Sequence, residues 1–199
     1  PPSRLAHARF EVLDLLKRSG EGQIALIAYG AEPYVVSPLT ADADTIALQV
    51  PSLSSELLPV PGQRAGPALS KANELLQQAG APNGEVILIS GGLEDPAAAL
   101  KAARELRAAG HRLSVLALGT EQGAPVPDAG GGFLKDAGGA ILMPKLDAAA
   151  LRELSGTGGG RYVQSRADDR DLDALLESSH LERLEQQEDE LAESDQWRE

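Results

Sequence analysis

The sequence predicts an α/β fold with a mostly parallel sheet, and three observations support this fold class. Short apolar runs of strand length alternate with stretches of helical spacing from residue 23 to residue 164. The run Val-Ile-Leu-Ile at 86–89 is continuously apolar, which is typical of a strand buried on both faces. Glycine or proline follows most of these segments and marks the turns between them.

The first part of the chain contains two predicted helices and two predicted strands. Apolar residues recur at helical spacing from residue 3 to residue 18, and Gly20 ends that helix. Asp42 or Asp44 caps a second helix, which Pro51 stops. The predicted segments are a helix at 3–18, strands at 23–29 and 34–37 around a turn at 31–33, a helix at 43–50, and a loop at 51–66 with a helical turn at 54–58.

The second part repeats strand and helix in regular order. Pro67 opens a helix that ends before Gly80, and Asp95-Pro96 opens an alanine-rich helix that closes at Gly110. Asp147 caps a shorter helix that reaches Leu154. The remaining segments are strands at 85–89, 112–118 and 161–164, a small hairpin through 132–135 and 140–144, and a flexible glycine turn at 156–160.

Charge divides the chain into two parts. The 199 residues carry a net charge of −12, with no cysteine. Residues 1–166 hold 17 acids and 15 bases, whereas residues 167–199 hold 13 acids and 3 bases. We therefore predict an α/β domain over 1–166 and an acidic segment over 167–199 with a helix at 171–193. This acidity disfavours nucleic acid as a partner, because binding to phosphates needs a positive surface.

Ligands of parallel α/β sheets bind beyond the carboxyl ends of the strands, which directs attention to the loops at 29–31, 60–66, 90–95 and 119–124. Ser90 lies in such a loop, between a strand and a helix, as a hydrolase nucleophile does. A nucleophile elbow needs a small residue two positions earlier, where this chain has Leu88. His111 begins the next strand at its opposite end. A glycine turn is the favoured interpretation of Ser90-Gly91-Gly92.

Other residue patterns indicate no phosphate or zinc site. The glycine runs at 130–132 and 156–160 lack the lysine of a phosphate loop and are interpreted as turns with positive φ. The three histidines, His7, His111 and His180, share no helix-face spacing, and no cysteine is available as a zinc ligand.

Several stretches in order resemble a von Willebrand factor A domain of the BatB/BatA type found in aerotolerance operons. The most extended of them is Gly-Glu-Val-Ile-Leu-Ile-Ser-Gly-Gly at 84–92. The resemblance implies a Rossmann-like sheet with helices on both faces, over residues 3–176. The other matching stretches are 3–10, 24–30, 34–40, 66–69, 118–120 with 123–125, and 158–163.

The resemblance also implies protein–protein binding through a divalent cation at the carboxyl end of the sheet. In the family, the ion is held by an Asp-x-Ser-x-Ser loop after the first strand, a Thr or Ser in a glycine loop, and an Asp after the fourth strand. Such hard oxygen ligands suit Mg²⁺. Here Gln63 stands at the Thr/Ser position and Gly91 at the Asp position. The resemblance thus implies a degenerate ion site whose positions, Gln63, Ser90, Gly91 and Gly92, form a binding face without a cofactor, and Mg²⁺ would require the upstream loop.

That loop and the first central strand would precede Pro1, so we expect an amino-terminally incomplete domain whose neighbouring strands have unpaired edges. The family implies flanking membrane helices, an inner-membrane anchor and a domain that faces the periplasm. Trp197 would then lie just before a bilayer segment.

The partner expected from the family is another protein: a related von Willebrand A or TPR protein, or a MoxR-type AAA+ ATPase linked to stress tolerance. The expected function is a non-enzymatic interaction module. Two alternatives stay open, namely a small α/β hydrolase-like enzyme that uses Ser90 or the Glu94/Asp95 carboxylates, and a structural scaffold domain.

Overall fold

The structure is a computed structural model, and it describes residues 3–20, 22–54, 60, 62–126, 131–136, 138–165, 172–173 and 175–176. The chain divides into two compact units, residues 1–164 and residues 165–199. In the second unit, residues 172, 173, 175 and 176 are helical. The rest of the predicted acidic helix at 171–193, together with His180 and Trp197, lies outside the described residues, as do residues 55–58 of the helical turn predicted at 54–58.

The strands of the first unit form a hairpin and a parallel sheet. Strands β1 (Ile24–Tyr29) and β2 (Pro33–Thr40) pair antiparallel. Strands β3 (Glu85–Ser90), β4 (Arg112–Ala117) and β5 (Gly159–Gln164) pair parallel in the order β3-β4-β5. Helices flank this parallel sheet, so the predicted α/β class is confirmed.

In the described part of residues 1–164, one α-helix precedes β1 and four lie between later strands, and short polar side chains cap most of the five. Ser3, Asp42, Asp95 and Asp147 each accept a hydrogen bond from the backbone N–H three residues later, which satisfies a donor that the helix itself cannot. The helices are α1 (Arg4–Arg18), α2 (Ala43–Gln49), α3 (Ala65–Gln78), α4 (Pro96–Ala108) and α5 (Ala148–Thr157), with a short 3₁₀ helix at Val50–Ser52.

Two sequence predictions need correction. Helix α3 begins at Ala65, before Pro67, and tolerates this proline because N–H groups in the first helical turn have no partner within the helix. The predicted flexible turn at 156–160 is wrong: α5 continues to Thr157, and β5 begins at Gly159. The predicted hairpin near residue 138 is confirmed by the antiparallel bridge between Lys135 and Ile141.

The glycines of this junction allow a close approach between β5 and β4. A Cβ on Gly160 would overlap the backbone carbonyl of Leu113, and one on Gly158 would overlap the Leu113 side chain. Leu113 is fully buried in the main core with Leu106 and Leu151, so it has no free space into which to move. The absence of side chains at Gly158 and Gly160 therefore allows β5 to pack directly against β4.

The strands of the described residues do not form one continuous sheet. Among the described residues, β1-β2 and β3-β4-β5 are separate hydrogen-bonded sheets. In β4, which is paired on both sides, every residue after Arg112 is buried, whereas all six residues of β1 are only partly buried. β1 and β3 thus each have one edge without backbone pairing in the described structure.

Replacement of Gly160 by Ala is expected to lower the free energy of unfolding by about 1–3 kcal/mol, since overpacking against a rigid backbone carbonyl has a cost of that order. Gly156→Ala in α5 is the matched control: a Cβ there meets nothing within 4 Å. It should stabilise the protein by about 0.5–1 kcal/mol through helix propensity. Urea denaturation measures both, and equal effects of the two substitutions would contradict this packing.

His111 gives the fold a pH dependence. Its buried ring accepts the Gly84 N–H at Nδ1 over 3.0 Å, which requires an unprotonated Nδ1. Burial lowers the pKa of His111 below its ordinary value of 6.5. The unfolded chain therefore binds this proton first as the pH falls, and the folded state loses stability below about pH 6.5.

We expect the free energy of unfolding of the wild type to decrease more steeply between pH 7 and pH 5 than that of His111→Asn. The asparagine amide can keep an acceptor near Gly84 N but does not titrate. Denaturant titrations at each pH give the two curves, whose difference isolates His111 from the carboxylates. Parallel curves would show that His111 is protonated alike in the folded and unfolded states.

Candidate functional site

Three loops meet at the carboxyl end of the parallel sheet, and backbone hydrogen bonds hold them together. After β1, the Gly30 carbonyl accepts the Arg64 N–H (3.0 Å), and the Ala31 N–H donates to the Val60 carbonyl (3.2 Å). After β3, the Glu94 N–H donates to the Gln63 carbonyl (3.1 Å). The loop before α3 is therefore attached on one side to the β1 loop and on the other to the β3 loop.

Gln63 and Glu94 form the central contact between the last two loops. Besides the backbone bond, Glu94 Oε2 accepts the Gln63 N–H at 2.9 Å, a charge-assisted bond. Gly62 lets the loop pass close by: at φ +154°, its Cβ would lie 3.0 Å from both the Ala31 nitrogen and Glu94 Oε2. Both Gln63 and Glu94 are exposed, so this contact forms part of the surface.

Ser90 is buried, and its hydroxyl forms hydrogen bonds within the same turn. Its hydroxyl donates to the Gly92 carbonyl (2.8 Å) and accepts the Gly92 N–H (3.3 Å), which closes the turn. The Tyr29 side chain at the end of β1 lies beside this hydroxyl, and burial raises the pKa of Tyr29. Ser90 and Tyr29 thus lie where the hairpin approaches the parallel sheet.

Arg4, at the start of α1, crosses the ends of β3 and β4. A Cβ on Gly91 would lie 2.9 Å from Arg4 Nη1, and one on Gly119 would lie 3.1 Å from Nη2. The guanidinium also donates to the Pro144 carbonyl, and its partial burial lowers the pKa of Arg4. The two glycines thus provide the space in which a cationic group lies at this edge.

The structure brings the four predicted site residues together. Ser90, Gly91 and Gly92 form the buried turn, and Gln63 Oε1 lies 3.6 Å from where a Cβ on Gly92 would be. Asp147, the cap of α5, approaches from the other side, because its N–H donates to the Gly91 carbonyl at 3.1 Å.

The candidate hydrolase residues do not assemble in the same way. Ser90 pairs with Ala117 across the sheet, whereas His111 precedes Arg112 at the other end of β4. Five residues of strand rise put these ends roughly 16 Å apart. Asp95 Oδ1 caps α4 through the Ala98 N–H.

Sequence reasoning missed Arg4 and Tyr29. Arg4 is 140 residues from Pro144, and no local pattern links the first turn of α1 to that carbonyl. Tyr29 lay in a predicted strand as one apolar residue among several. The small residues Gly91 and Gly119 at successive strand ends were the only signal that a large side chain could approach there.

Comparison with known proteins identifies the fold. Residues 1–94 match the sequence model of the von Willebrand factor type A domain. The structure is similar to the conserved hypothetical protein BatB from Bacteroides thetaiotaomicron (TM-score 0.83, 24% identity, 92% of this chain and 90% of that one). The chain has a von Willebrand factor A fold.

Two further structures share the von Willebrand A fold. One is an aerotolerance-related membrane protein from Bacteroides fragilis carrying multiple mutations to serines (TM-score 0.82, 23% identity, 88% of each chain). The other is the SpRpn10 VWA domain (TM-score 0.53, 12% identity, 86% of this chain and 80% of that one). No curated protein matches the chain in sequence. The predicted resemblance to BatB-type domains is confirmed.

Two general features of the described residues bear on the function of this fold. Within them, no three Asp, Glu or His side chains come together as a metal site would require. None of the described helices combines the length and apolar character needed to cross a bilayer.

Replacement of Glu94 by Ala should weaken the attachment of the loop before α3 to the β3 loop, because it removes the carboxylate bond and keeps the backbone bond. We expect the backbone N–H hydrogen of Gln63 to exchange with solvent on the order of tenfold faster than in the wild type, because a charge-assisted bond contributes about 1.5 kcal/mol or more. Glu94→Gln keeps an acceptor and should have a smaller effect. Amide exchange measured by NMR tests this, with the exposed Glu121→Ala as control. Unchanged exchange in Glu94→Ala would contradict the contact.

Proposed function

We propose that this chain is a non-enzymatic protein–protein interaction module that binds its partner at the carboxyl end of the parallel sheet. We call this surface, formed by Gln63, the 90–92 turn and Arg4, the carboxyl edge. One observation carries the proposal: loops from three separate segments converge on Gln63 and the 90–92 turn, held by backbone hydrogen bonds. Such a surface is positioned before a partner arrives, which lowers the entropic cost of binding. The von Willebrand A fold, which serves widely in protein interaction, supports this reading.

In this proposal, the edge binds without a divalent cation. The residues present fit such an ion poorly. Gly91 provides no carboxylate, and the Arg4 guanidinium, itself a cation, lies beside it. Glu94 already accepts the Gln63 N–H, and Asp147 Oδ1 accepts the Ala150 N–H. A doubly charged ion would face electrostatic repulsion from Arg4 with few oxygen ligands in compensation.

A non-enzymatic role agrees with the environment of Ser90. A serine nucleophile needs a base within hydrogen-bond reach, and here the hydroxyl donates to a backbone carbonyl instead. The other candidate carboxylates, Glu94 and Asp95, each accept a backbone N–H. Their acceptor oxygens thus serve the loop and the helix terminus.

The cellular setting in this proposal is an inner-membrane protein whose domain faces the periplasm, with a MoxR-type ATPase or a related von Willebrand A or TPR protein as partner. The support is the similarity to BatB and to a protein described as an aerotolerance-related membrane protein. A role in stress tolerance would follow from that kinship.

A photo-crosslinking amino acid at Gln63 is expected to capture a protein partner from the native membrane fraction equally in EDTA and in Mg²⁺. Position 83 is the matched control, since Asn83 is exposed and precedes β3 at the opposite end of the strand. It should capture nothing. Calorimetry with Mg²⁺ and Mn²⁺ should show no micromolar binding.

Three results would contradict this function. Capture that depends on Mg²⁺, or micromolar metal binding lost in Gln63→Ala, would show an ion-dependent site. Equal capture at positions 63 and 83 would remove the carboxyl edge as the interface. Turnover of ester or phosphate substrates that is lost in Ser90→Ala would favour the enzyme alternative.

A further inference from the structure

A small hairpin beside the candidate site exposes a cluster of large apolar side chains. Its segments are held by backbone bonds: the Leu134 N–H donates to Val126 O (2.9 Å), the Leu142 N–H to Leu134 O (2.8 Å), and the Val126 N–H to Leu142 O (3.2 Å). Five side chains, each 40–49% exposed, make up what we call the apolar hairpin: Phe133, Leu134, Ile141, Leu142 and Met143.

This exposure is unusual for a paired segment. Isolated apolar residues are common on protein surfaces, but neighbouring ones on an ordered turn are typical of interaction sites. Asp136 Oδ1 accepts the N–H groups of Gly138 and Ala140 and so closes the tip of the hairpin. These hydrogen bonds hold the described residues on either side of position 137 together.

The apolar hairpin is continuous with the carboxyl edge. Its last residue, Met143, precedes Pro144, whose carbonyl accepts the Arg4 guanidinium. Beyond it, the Leu146 N–H donates to the Thr120 carbonyl (3.0 Å), and the Asp147 N–H donates to Gly91. One strip of chain thus leads from the apolar side chains to the guanidinium and the 90–92 turn.

Arg4 has hydrogen-bonding capacity left over. A guanidinium has five N–H donors, and the bond to Pro144 uses one of them. In the part of the chain that the structure describes, no ion pair joins Arg4 to a carboxylate. The nearby acids are engaged: Asp147 caps α5, and Glu94 accepts the Gln63 N–H. A planar guanidinium binds a carboxylate through two parallel bonds, and more strongly when partly desolvated.

We propose that Arg4 and the apolar hairpin form one docking surface for a partner segment that carries an Asp or Glu beside large apolar side chains. The carboxylate binds the guanidinium at the Gly91–Gly119 edge, and the apolar side chains cover the hairpin. This inference rests on the interaction function proposed above and specifies the chemistry of its partner. In this proposal, the Arg4 guanidinium supplies the positive charge that binds the partner's carboxylate.

A random twelve-residue peptide library displayed on phage provides the test, with the full chain as bait. Enriched peptides should combine Asp or Glu with adjacent Phe, Leu, Ile or Trp. The bait carries a net charge of −12, which by itself disfavours acidic peptides. Enrichment of acids would therefore indicate a specific cationic anchor.

The affinity of a selected peptide for variants then separates the two parts of the surface. Arg4→Gln should weaken binding at least tenfold, and Arg4→Lys should weaken it less. Phe133→Ser with Met143→Ser should weaken binding by a similar factor. The control Arg104→Gln removes the same charge from an exposed position on α4 and should have no effect.

Because Arg4→Gln also alters the Pro144 contact, a double-mutant cycle is needed. A peptide with Asn or Gln in place of its acid should bind the wild type weakly and be insensitive to Arg4→Gln. Equal loss for the acidic and amide peptides would overturn the carboxylate assignment, and so would selected peptides that lack acids. Peptides that bind the wild type and every variant with the same affinity would overturn this docking surface, while the proposed interaction function would still hold. A library that yields no binder at all would count against both.

Discussion

The carboxyl edge of this domain depends on the contact between the Arg4 guanidinium and two glycine backbones. Because Gly91 and Gly119 lack a Cβ, the planar group can lie across the ends of β3 and β4 and reach the Pro144 carbonyl. A side chain at position 91 would meet the Leu118 carbonyl at 2.8 Å as well as the guanidinium. One interaction therefore joins the first helix, two strand ends and the segment that leads into α5.

Main-chain hydrogen bonds form most of the remaining scaffold at this edge. The loops after β1 and β3 and the loop before α3 are joined by N–H and C=O groups, with Glu94 as the main side-chain participant. Apart from Glu94, exposed side chains at this edge can change without loosening the loops, because backbone groups make the other bonds between them. The partner chemistry can then be set by a few groups such as Arg4 and Gln63.

Local patterns in the sequence predicted most elements and their ends, since caps and buried strand runs are local features. Asp95 and Asp147 were both identified as caps from the residues around them. The predicted flexible turn at 156–160 is wrong because Gly158 and Gly160 pack against Leu113, which lies more than forty residues away in the sequence. The Arg4 contact was missed for the same reason. Close approaches between distant segments leave only small residues as a sequence signal.

The candidate site is also the junction between the two sheets of the domain. β1 and β3 share no backbone ladder in the described structure, yet the Tyr29 side chain lies beside Ser90, and the Gly30 carbonyl accepts the Arg64 N–H before α3. The β1-β2 hairpin thus approaches the parallel sheet at residues of the candidate site. Movement of one sheet relative to the other would therefore alter the position of Gln63 relative to the 90–92 turn. Because the same bonds hold the sheets and shape the surface, a partner that binds this edge tightly would also stabilise the connection between them.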